Sequence, residues 1–279
     1  MEKKPLSPSE ILASAANIGE AKAKESTGQL IVLGLLAGAF IAFGAAGSNT
    51  IIANLLMNPK TFGAAKCLQG ALFTPGLMLV ILAGAELFTG NTLMIVSAAQ
   101  RRITAAQLLR VLIIVYFANM AGGVVIAFLV SKSGLLAGGA NMVGAVTVKI
   151  AAGKTSLPFS KAFILGILCN WLVCLAVWMS WGADTTVGKI FSIFFPIWLF
   201  VASGFEHSVA NMYYIPAGIL AKAVPEFAKL SGVAPEVLAT LTWKGFFLNN
   251  LLPVTLGNIV GGMVCVGLAY TFAYGKKAA

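Results

Sequence analysis

Two carboxylates, Glu86 and Glu206, each lie inside an apolar run long enough to cross a lipid bilayer. A charge at that depth costs about 2.5–3.5 kcal/mol on insertion scales, so it faces protein or a watery cavity and marks a functional site. Both acids occupy the same frame, Gly-x-Glu-x-x-x-x-Asn. The first copy reads Gly84-Ala85-Glu86-Leu87-Phe88-Thr89-Gly90-Asn91, the second Gly204-Phe205-Glu206-His207-Ser208-Val209-Ala210-Asn211. A costly pattern used twice points to a duplicated pore element. The chain reads as a membrane channel or transporter with its site between two related halves.

Composition narrows the class further. Of 279 residues, 59% are hydrophobic and only 10% charged, against roughly 25% charged in soluble domains. Mean hydropathy is +0.91. These values predict an all-α polytopic membrane protein with no separate soluble domain. The net charge of +10 is spread between apolar spans, so no nucleic-acid partner is expected. Cys67, Cys169, Cys174 and Cys265 fall in apolar segments without a C-x-x-C pair and read as packing residues. With a single histidine, no H-E-x-x-H and no phosphate loop, neither an enzyme site, nor a metal, nor a cofactor is expected. The polar N-terminus lacks the apolar core of a signal peptide.

Along the chain, residues 1–28 predict a cytoplasmic amphipathic segment. Its helix starts at Pro8-Ser9-Glu10, with Ile11, Leu12, Ala15, Ile18 and Ala21 on one face, lying on the membrane or against the bundle. A six-helix channel domain is expected over 29–275, in halves of about 29–131 and 160–275, followed by a short cytoplasmic tail, 276–279. The second span, about Cys67 to Ala99, is too long for one crossing. Pro75-Gly76 and Gly84 predict interruptions. Pro196 and Ser203-Gly204 predict the same in the fifth span, about Ile190 to Leu220. Such breaks at membrane depth are tolerated only within protein or against a cavity. Lys149, Lys154 and Lys161 are expected in a Gly-rich loop, and residues 222–242 in a polar loop.

Two further echoes keep the order of the spans. Gly34-Leu35-Leu36-Ala37-Gly38 in the first span resembles Gly166-Ile167-Leu168-Cys169-Asn170 in the fourth. Asn119-Met120-Ala121-Gly122-Gly123 in the third resembles Asn258-Ile259-Val260-Gly261-Gly262 in the sixth. Three spans per half send the second half into the membrane from the opposite side. That is a 3+3 inverted repeat with helices 2 and 5 broken. Six spans also put both termini on one side. Lys and Arg divide almost evenly between the sides, while Arg101-Arg102 after span two and Lys276-Lys277 at the end favour cytoplasmic termini. The opposite side is unusually basic, with nine lysines against Glu226 and Glu236, which concentrates anions near it.

His207 is the only histidine and stands at a break. It is either a hydrogen-bonded structural imidazole or a pore group that titrates near neutrality. Thr89 at the matching break is either a helix cap or a pore hydroxyl. Glu86 and Glu206 are expected to pin broken backbone amides rather than touch an anion. Asn91, Asn170 and Asn211 are read as plugs for freed backbone groups, with Asn170 and Asn211 also able to line a pore. Phe73, Leu77, Leu87, Phe88 and Phe200 flank the breaks and are either core residues or apolar constrictions. A dry constriction favours a neutral molecule over an ion, whose idealised transfer cost is tens of kcal/mol. A weak acid suits this: attracted as an anion by lysine, Lys154 foremost, it crosses protonated.

Glu86–Asn91, Phe200–Met212 and Pro253–Gly262 together resemble the formate/nitrite transporter family over about residues 10–274. The resemblance implies an aquaporin-like protomer of six transmembrane helices, a homopentamer with one pore per protomer, and cytoplasmic termini in a bacterial inner membrane. It places the family's pore histidine on His207, its pore threonine on Thr89, its vestibule lysine on Lys154 and a pore-facing asparagine on Asn170. It sets the outer constriction at Phe73 and Phe200, the cytoplasmic one at Leu77 and Leu87 with Phe88 nearby, and an asparagine orienting the histidine region at Asn211. Residues 9–26 match the helix implicated in pH-dependent gating. Implied substrates are formate, nitrite, hydrosulfide, lactate or acetate. The 200–218 and 246–263 stretches look most like the formate-channel branch. The ending Thr89-Gly90-Asn91, by contrast, departs from the Thr-Ser of some formate channels and is shared with nitrite and hydrosulfide members.

Other readings are a proton-coupled weak-acid symporter, a water or glycerol channel, which lacks its Asn-Pro-Ala motif here, and a non-conducting scaffold, which has no use for repeated carboxylates and breaks.

Overall fold

The computed structural model describes residues 4–275, and every regular element among them is helical. The tail 276–279, with Lys276 and Lys277, lies outside the described residues. Six helices are long and apolar enough to cross a membrane. Span 1 is Thr27–Ile52, span 2 begins as Phe62–Ala83, span 3 is Ala105–Lys132, span 4 is Phe159–Gly182, span 5 begins as Thr186–Ser203, and span 6 is Gly245–Tyr274. Spans 2 and 5 resume after short breaks as Phe88–Ala99 and Ser208–Lys222.

Local sequence sets the helix starts. Ser26 and Gln29 exchange reciprocal side-chain to backbone bonds (3.1 and 3.2 Å), and Thr104 and Gln107 do the same (2.8 and 3.2 Å). Each pair satisfies two otherwise orphaned amides. Small residues set the close crossings. A Cβ at Gly38 would fall on the Asn119 backbone, and one at Gly166 would meet the Val254 carbonyl at 2.8 Å and the Gly257 Cα at 3.2 Å. Spans 1 and 3, and likewise 4 and 6, therefore touch backbone to backbone. Large apolar side chains face outward, among them Leu109, Ile113 and Phe117 on span 3 and Phe191, Phe195 and Leu199 on span 5.

Several expectations need correction. Pro75 and Pro196 lie inside continuous helices and break neither. A proline removes one ladder bond, which a packed membrane helix absorbs. Gly84 and Gly204, both at φ +80°, redirect the chain, and that left-handed geometry is open to glycine at little cost. The stretch with Lys149 and Lys154 is a helix, Met142–Thr155, anchored by buried Val143, Val146, Val148 and Ala152. The polar segment after span 5 contains two short helices, Pro225–Leu230 and Pro235–Thr240, each opened by a proline in its first turn.

The terminal helix, Pro8–Ala23, packs against the bundle. Its buried face is Ile11, Leu12, Ala15, Ala16, Gly19 and Ala23; Ala21 is exposed and Ile18 half-buried. The face turns because Gly19 lets the helix press onto the end of span 2, where Ser97 Oγ donates to the Ala16 carbonyl (2.8 Å). Leu6 N–H donates to the Gly182 carbonyl (2.9 Å), tying the same segment to span 4.

Candidate functional site

The two breaks are stapled by one asparagine each. Asn119 Nδ2 donates to the Gly34 carbonyl (2.8 Å) and the Glu86 carbonyl (2.9 Å), while its Oδ1 accepts from Phe88 N–H (2.9 Å). Asn258 Nδ2 donates to the Gly166 carbonyl (2.8 Å) and the Glu206 carbonyl (3.0 Å), and its Oδ1 accepts from Ser208 N–H (2.9 Å). Glu86 N–H donates to the Leu33 carbonyl and Glu206 N–H to the Leu165 carbonyl, both at 3.2 Å. The sequence echoes therefore correspond to matched contacts: span 3 staples a span 1 carbonyl to the first break, and span 6 staples a span 4 carbonyl to the second.

The carboxylates were expected to hold these amides, and they do not. Glu86 accepts from Lys22 Nζ at 2.7 and 2.6 Å and from Asn91 Nδ2 at 2.7 Å; Lys22 also donates to Asn91 Oδ1 (2.9 Å). Glu206 accepts from Lys154 Nζ (2.7 Å), Asn211 Nδ2 (2.7 Å) and Asn250 Nδ2 (3.1 Å). Each buried acid is thus matched by one lysine and by amide donors, which is how a charge survives out of water. Asn91 and Asn211 serve the acids. Of the asparagines read as backbone plugs, Asn170 does that work, donating to the Thr89 (3.2 Å) and Asn258 (2.7 Å) carbonyls.

Two cavities flank the breaks and share no lining residue. The far cavity, about 760 Å³, opens between the loops opposite the termini and is lined by Lys66, Gln69, Lys149, Lys154, Glu206, His207 and Asn211. The terminal-side cavity, about 350 Å³, is lined by Lys22, Glu25, Glu86 and Asn91. Apolar residues separate them. Phe73 and Phe200 face the far cavity with rings edge to face, 5.6 Å between centroids. Leu77 and Leu87 face the other. Phe88 lines neither and packs on Tyr116 (4.9 Å between centroids). Asn170 is buried behind Thr89 and also lines neither.

Thr89 and His207, one from each break, meet at 2.9 Å between Oγ1 and Nε2, both buried. His207 Nδ1 accepts from Ala210 N–H (3.0 Å), capping the helix that restarts there. An amide can only donate, so the ring proton sits on Nε2. The imidazole is neutral and donates to Thr89, whose own proton is left to offer. Phe200 packs beside this ring at 5.9 Å between centroids, and both line the far cavity.

The profile of the formate/nitrite transporter family matches residues 9–272. The chain belongs to the formate/nitrite transporter family. A probable formate transporter of Methanothermobacter thermautotrophicus is 41% identical over 97% of this chain and 98% of its own length. The formate channel FocA of Escherichia coli K12 is 40% identical over 96% of this chain and 94% of its own. A solved pentameric formate channel with formate bound superposes at a TM-score of 0.81, with 35% identity, over 90% of this chain and 98% of that one. Within this family fold, four residues that sequence reasoning left out of the site are central to it: Asn119, Asn258, Lys22 and Asn250. The first two were visible as an echo but read only as a mark of the repeat. Lys22 lies outside both repeats, and Asn250 carries no repeated signature. A fifth, Glu25, sits between the terminal helix and span 1. Its Oε2 is buried without a partner among the described residues, and burial together with the nearby Glu86 carboxylate raises its pKa.

Proposed function

We propose that this chain forms a channel for small monovalent anions of weak acids, formate first, with nitrite, hydrosulfide, acetate and lactate as further candidates. The observation that carries this reading is the layout of the path: two lysine-bearing cavities separated by an apolar seal with one buried imidazole–hydroxyl pair. On the far side, where three lysines face one glutamate, lysine draws the anion into the cavity. The seal opposes a bare charge. Passage as the neutral acid, its proton taken from bulk water on one side and returned on the other, reconciles the two, and the Thr89 hydroxyl with its His207 partner is the polar pair available to hydrogen-bond the acid as it passes. The names of the relatives support formate as first candidate.

The functional unit in this reading is a homopentamer with one pore per protomer, consistent with the apolar outward faces and the pentameric relative. It lies in a bacterial inner membrane with both termini cytoplasmic. Arg101-Arg102 in the tight turn after span 2 favours that side. The terminal helix, bonded to the end of span 2 and reaching Glu86 through Lys22, is the pH-responsive element over the inner cavity. Proton-coupled symport is the second reading, favoured by the same His207–Thr89 bond.

The test is initial efflux of formate, nitrite, hydrosulfide, acetate, lactate and chloride from liposomes under one pH gradient. Weak-acid anions are expected to leave far faster than chloride, with formate first. Equal rates for chloride would refute passage as the neutral acid. Passage as the neutral acid carries one proton with each anion, so an uncoupler is expected to change steady-state accumulation at fixed membrane potential; no change would refute it.

A further inference from the structure

Three lysines line the far cavity, and their circumstances differ. Lys154 is bound to Glu206 at 2.7 Å, so that pair presents little net charge. Lys149 is half-buried on the cavity wall. Lys66, half-buried on span 2, forms no salt bridge among the described residues. Its Nζ donates to Gln69 Oε1 (3.0 Å), leaving the ammonium two further donors. A lysine can only donate, so the Gln69 oxygen is the atom turned toward it. The Gln69 amide nitrogen therefore points elsewhere, and it donates to no group among the described residues. Gln69 lines the cavity and its nitrogen is not sealed in protein, so its hydrogens are open to an acceptor that enters.

Position along the helix gives these donors a direction. Gln69, Phe73 and Leu77 are spaced four residues apart, so they line one face of span 2, about one turn from each to the next. Lys66 lies one turn further out. One helix face thus presents an ammonium, an amide, the outer ring of the seal and then the inner leucine. Lys66 Nζ also lies 3.8 Å from where a Cβ on Gly204 would stand. It donates to no carbonyl at that helix end, so capping does not account for its donors.

We propose that Lys66 and Gln69 form a capture site for planar oxyanions, carboxylates and nitrite, at the outer face of the Phe73–Phe200 seal. The ammonium takes one oxygen and the Gln69 amide the other. Anions with a single acceptor atom, such as hydrosulfide, engage Lys66 alone. This rests on the conducting reading given above, and it assigns capture to Lys66: Lys154 is already matched by Glu206, and Lys149, likewise without a salt bridge among the described residues, has no amide bonded beside it to take a second oxygen.

The experiment measures initial flux against concentration for formate, nitrite and hydrosulfide in liposomes, with 13C-formate line broadening on the purified protein as a flux-independent readout. Lys66→Gln is expected to raise the half-saturating concentration of all three anions at least threefold, with maximal flux retained, and Lys66→Arg to restore it. Gln69→Leu is expected to raise it for formate and nitrite and leave hydrosulfide unchanged. Gln69→Glu hands Lys66 a carboxylate partner and is expected to weaken all three. Lys161→Gln, an exposed lysine at the start of span 4, is the control. Unchanged half-saturation in Lys66→Gln overturns the site, as does an equal shift for hydrosulfide in Gln69→Leu. If the parent protein conducts none of these anions the conducting reading falls, and line broadening decides the site: its loss in Lys66→Gln upholds capture, its persistence overturns it.

Discussion

At the first break Leu87 faces the terminal-side cavity; at the same register of the second break stands His207. Two residues on, Thr89 in the first break corresponds to Val209 in the second. Around these positions the breaks share one frame: a glycine at φ +80°, a carboxylate with a lysine and an asparagine, and a stapling asparagine from the last span of the half. The difference teaches what duplication supplies. Two copies of one frame bring two helix ends together near the middle of the protein. Two substitutions, one in each copy, then provide an imidazole and a hydroxyl that meet there. Were the second break a copy of the first, Thr89 would face a leucine; were the first a copy of the second, His207 would face a valine. The asymmetric pair gives one ring a single hydroxyl partner.

The comparison can be broken hardest at the staples. Replacing Asn258 with Leu strands two carbonyls and one amide in a dry interior, at roughly 1–3 kcal/mol each. Asn119→Leu should cost about as much, since its bonds are the same three. Melting temperatures of the detergent-purified variants check this, and a large loss in one with none in the other would deny the equivalence. Next come the lysines. Lys154→Met leaves Glu206 buried without its cation and should cost about 2 kcal/mol, less than the 3–5 kcal/mol of fully buried pairs because Lys154 is partly wet. Adding Glu206→Gln should recover most of that. In Lys22→Met the loss should fall on docking of the terminal helix rather than on the bundle, read by protease cleavage near residue 24.

His207→Leu makes the second break a copy of the first at that register. Loss of one hydrogen bond of about 1.4 kcal/mol corresponds to a flux change of about tenfold, and the pH profile of efflux should change in shape. His207→Asn keeps a capping side chain without a titrating ring; a pH profile identical to the parent's in it would remove His207 from the response. The smallest effect concerns Glu25. Its pKa is raised, so the docked state binds this proton more tightly than the undocked state does. Docking is then strongest in acid and weakens as pH rises through the elevated value. Hydrogen exchange over residues 11–23 should slow on acidification in the parent and respond less in Glu25→Gln.

Much of this was legible from residues alone. The six spans stood out as long apolar runs, and the two breaks and the Glu/Asn frame announced themselves because each violates what lipid tolerates, and a repeated violation is easy to see. The prolines misled: Pro75 and Pro196 look like breakers, yet a packed helix carries them, and the left-handed glycines turn the chain instead. The helix Met142–Thr155 was hidden by its glycines and lysines, although its first half, 143–148, is buried on all sides. The staples were half-visible. Asn119 and Asn258 stood in matching echoes, but an asparagine's three bonds to distant backbone are set by tertiary approach and leave no local periodicity. Lys22 had no sequence signal as a partner for Glu86, because its counterpart in the second half comes from the connection between halves rather than from a repeat.

The chain order of those ion pairs carries a consequence for manufacture. Lys22 precedes Glu86 by 64 residues and Lys154 precedes Glu206 by 52. A membrane protein leaves the ribosome N-terminus first. Each acid that must enter the bilayer is therefore made after the base that will neutralise it, and neither glutamate has to wait for its cation to be synthesised.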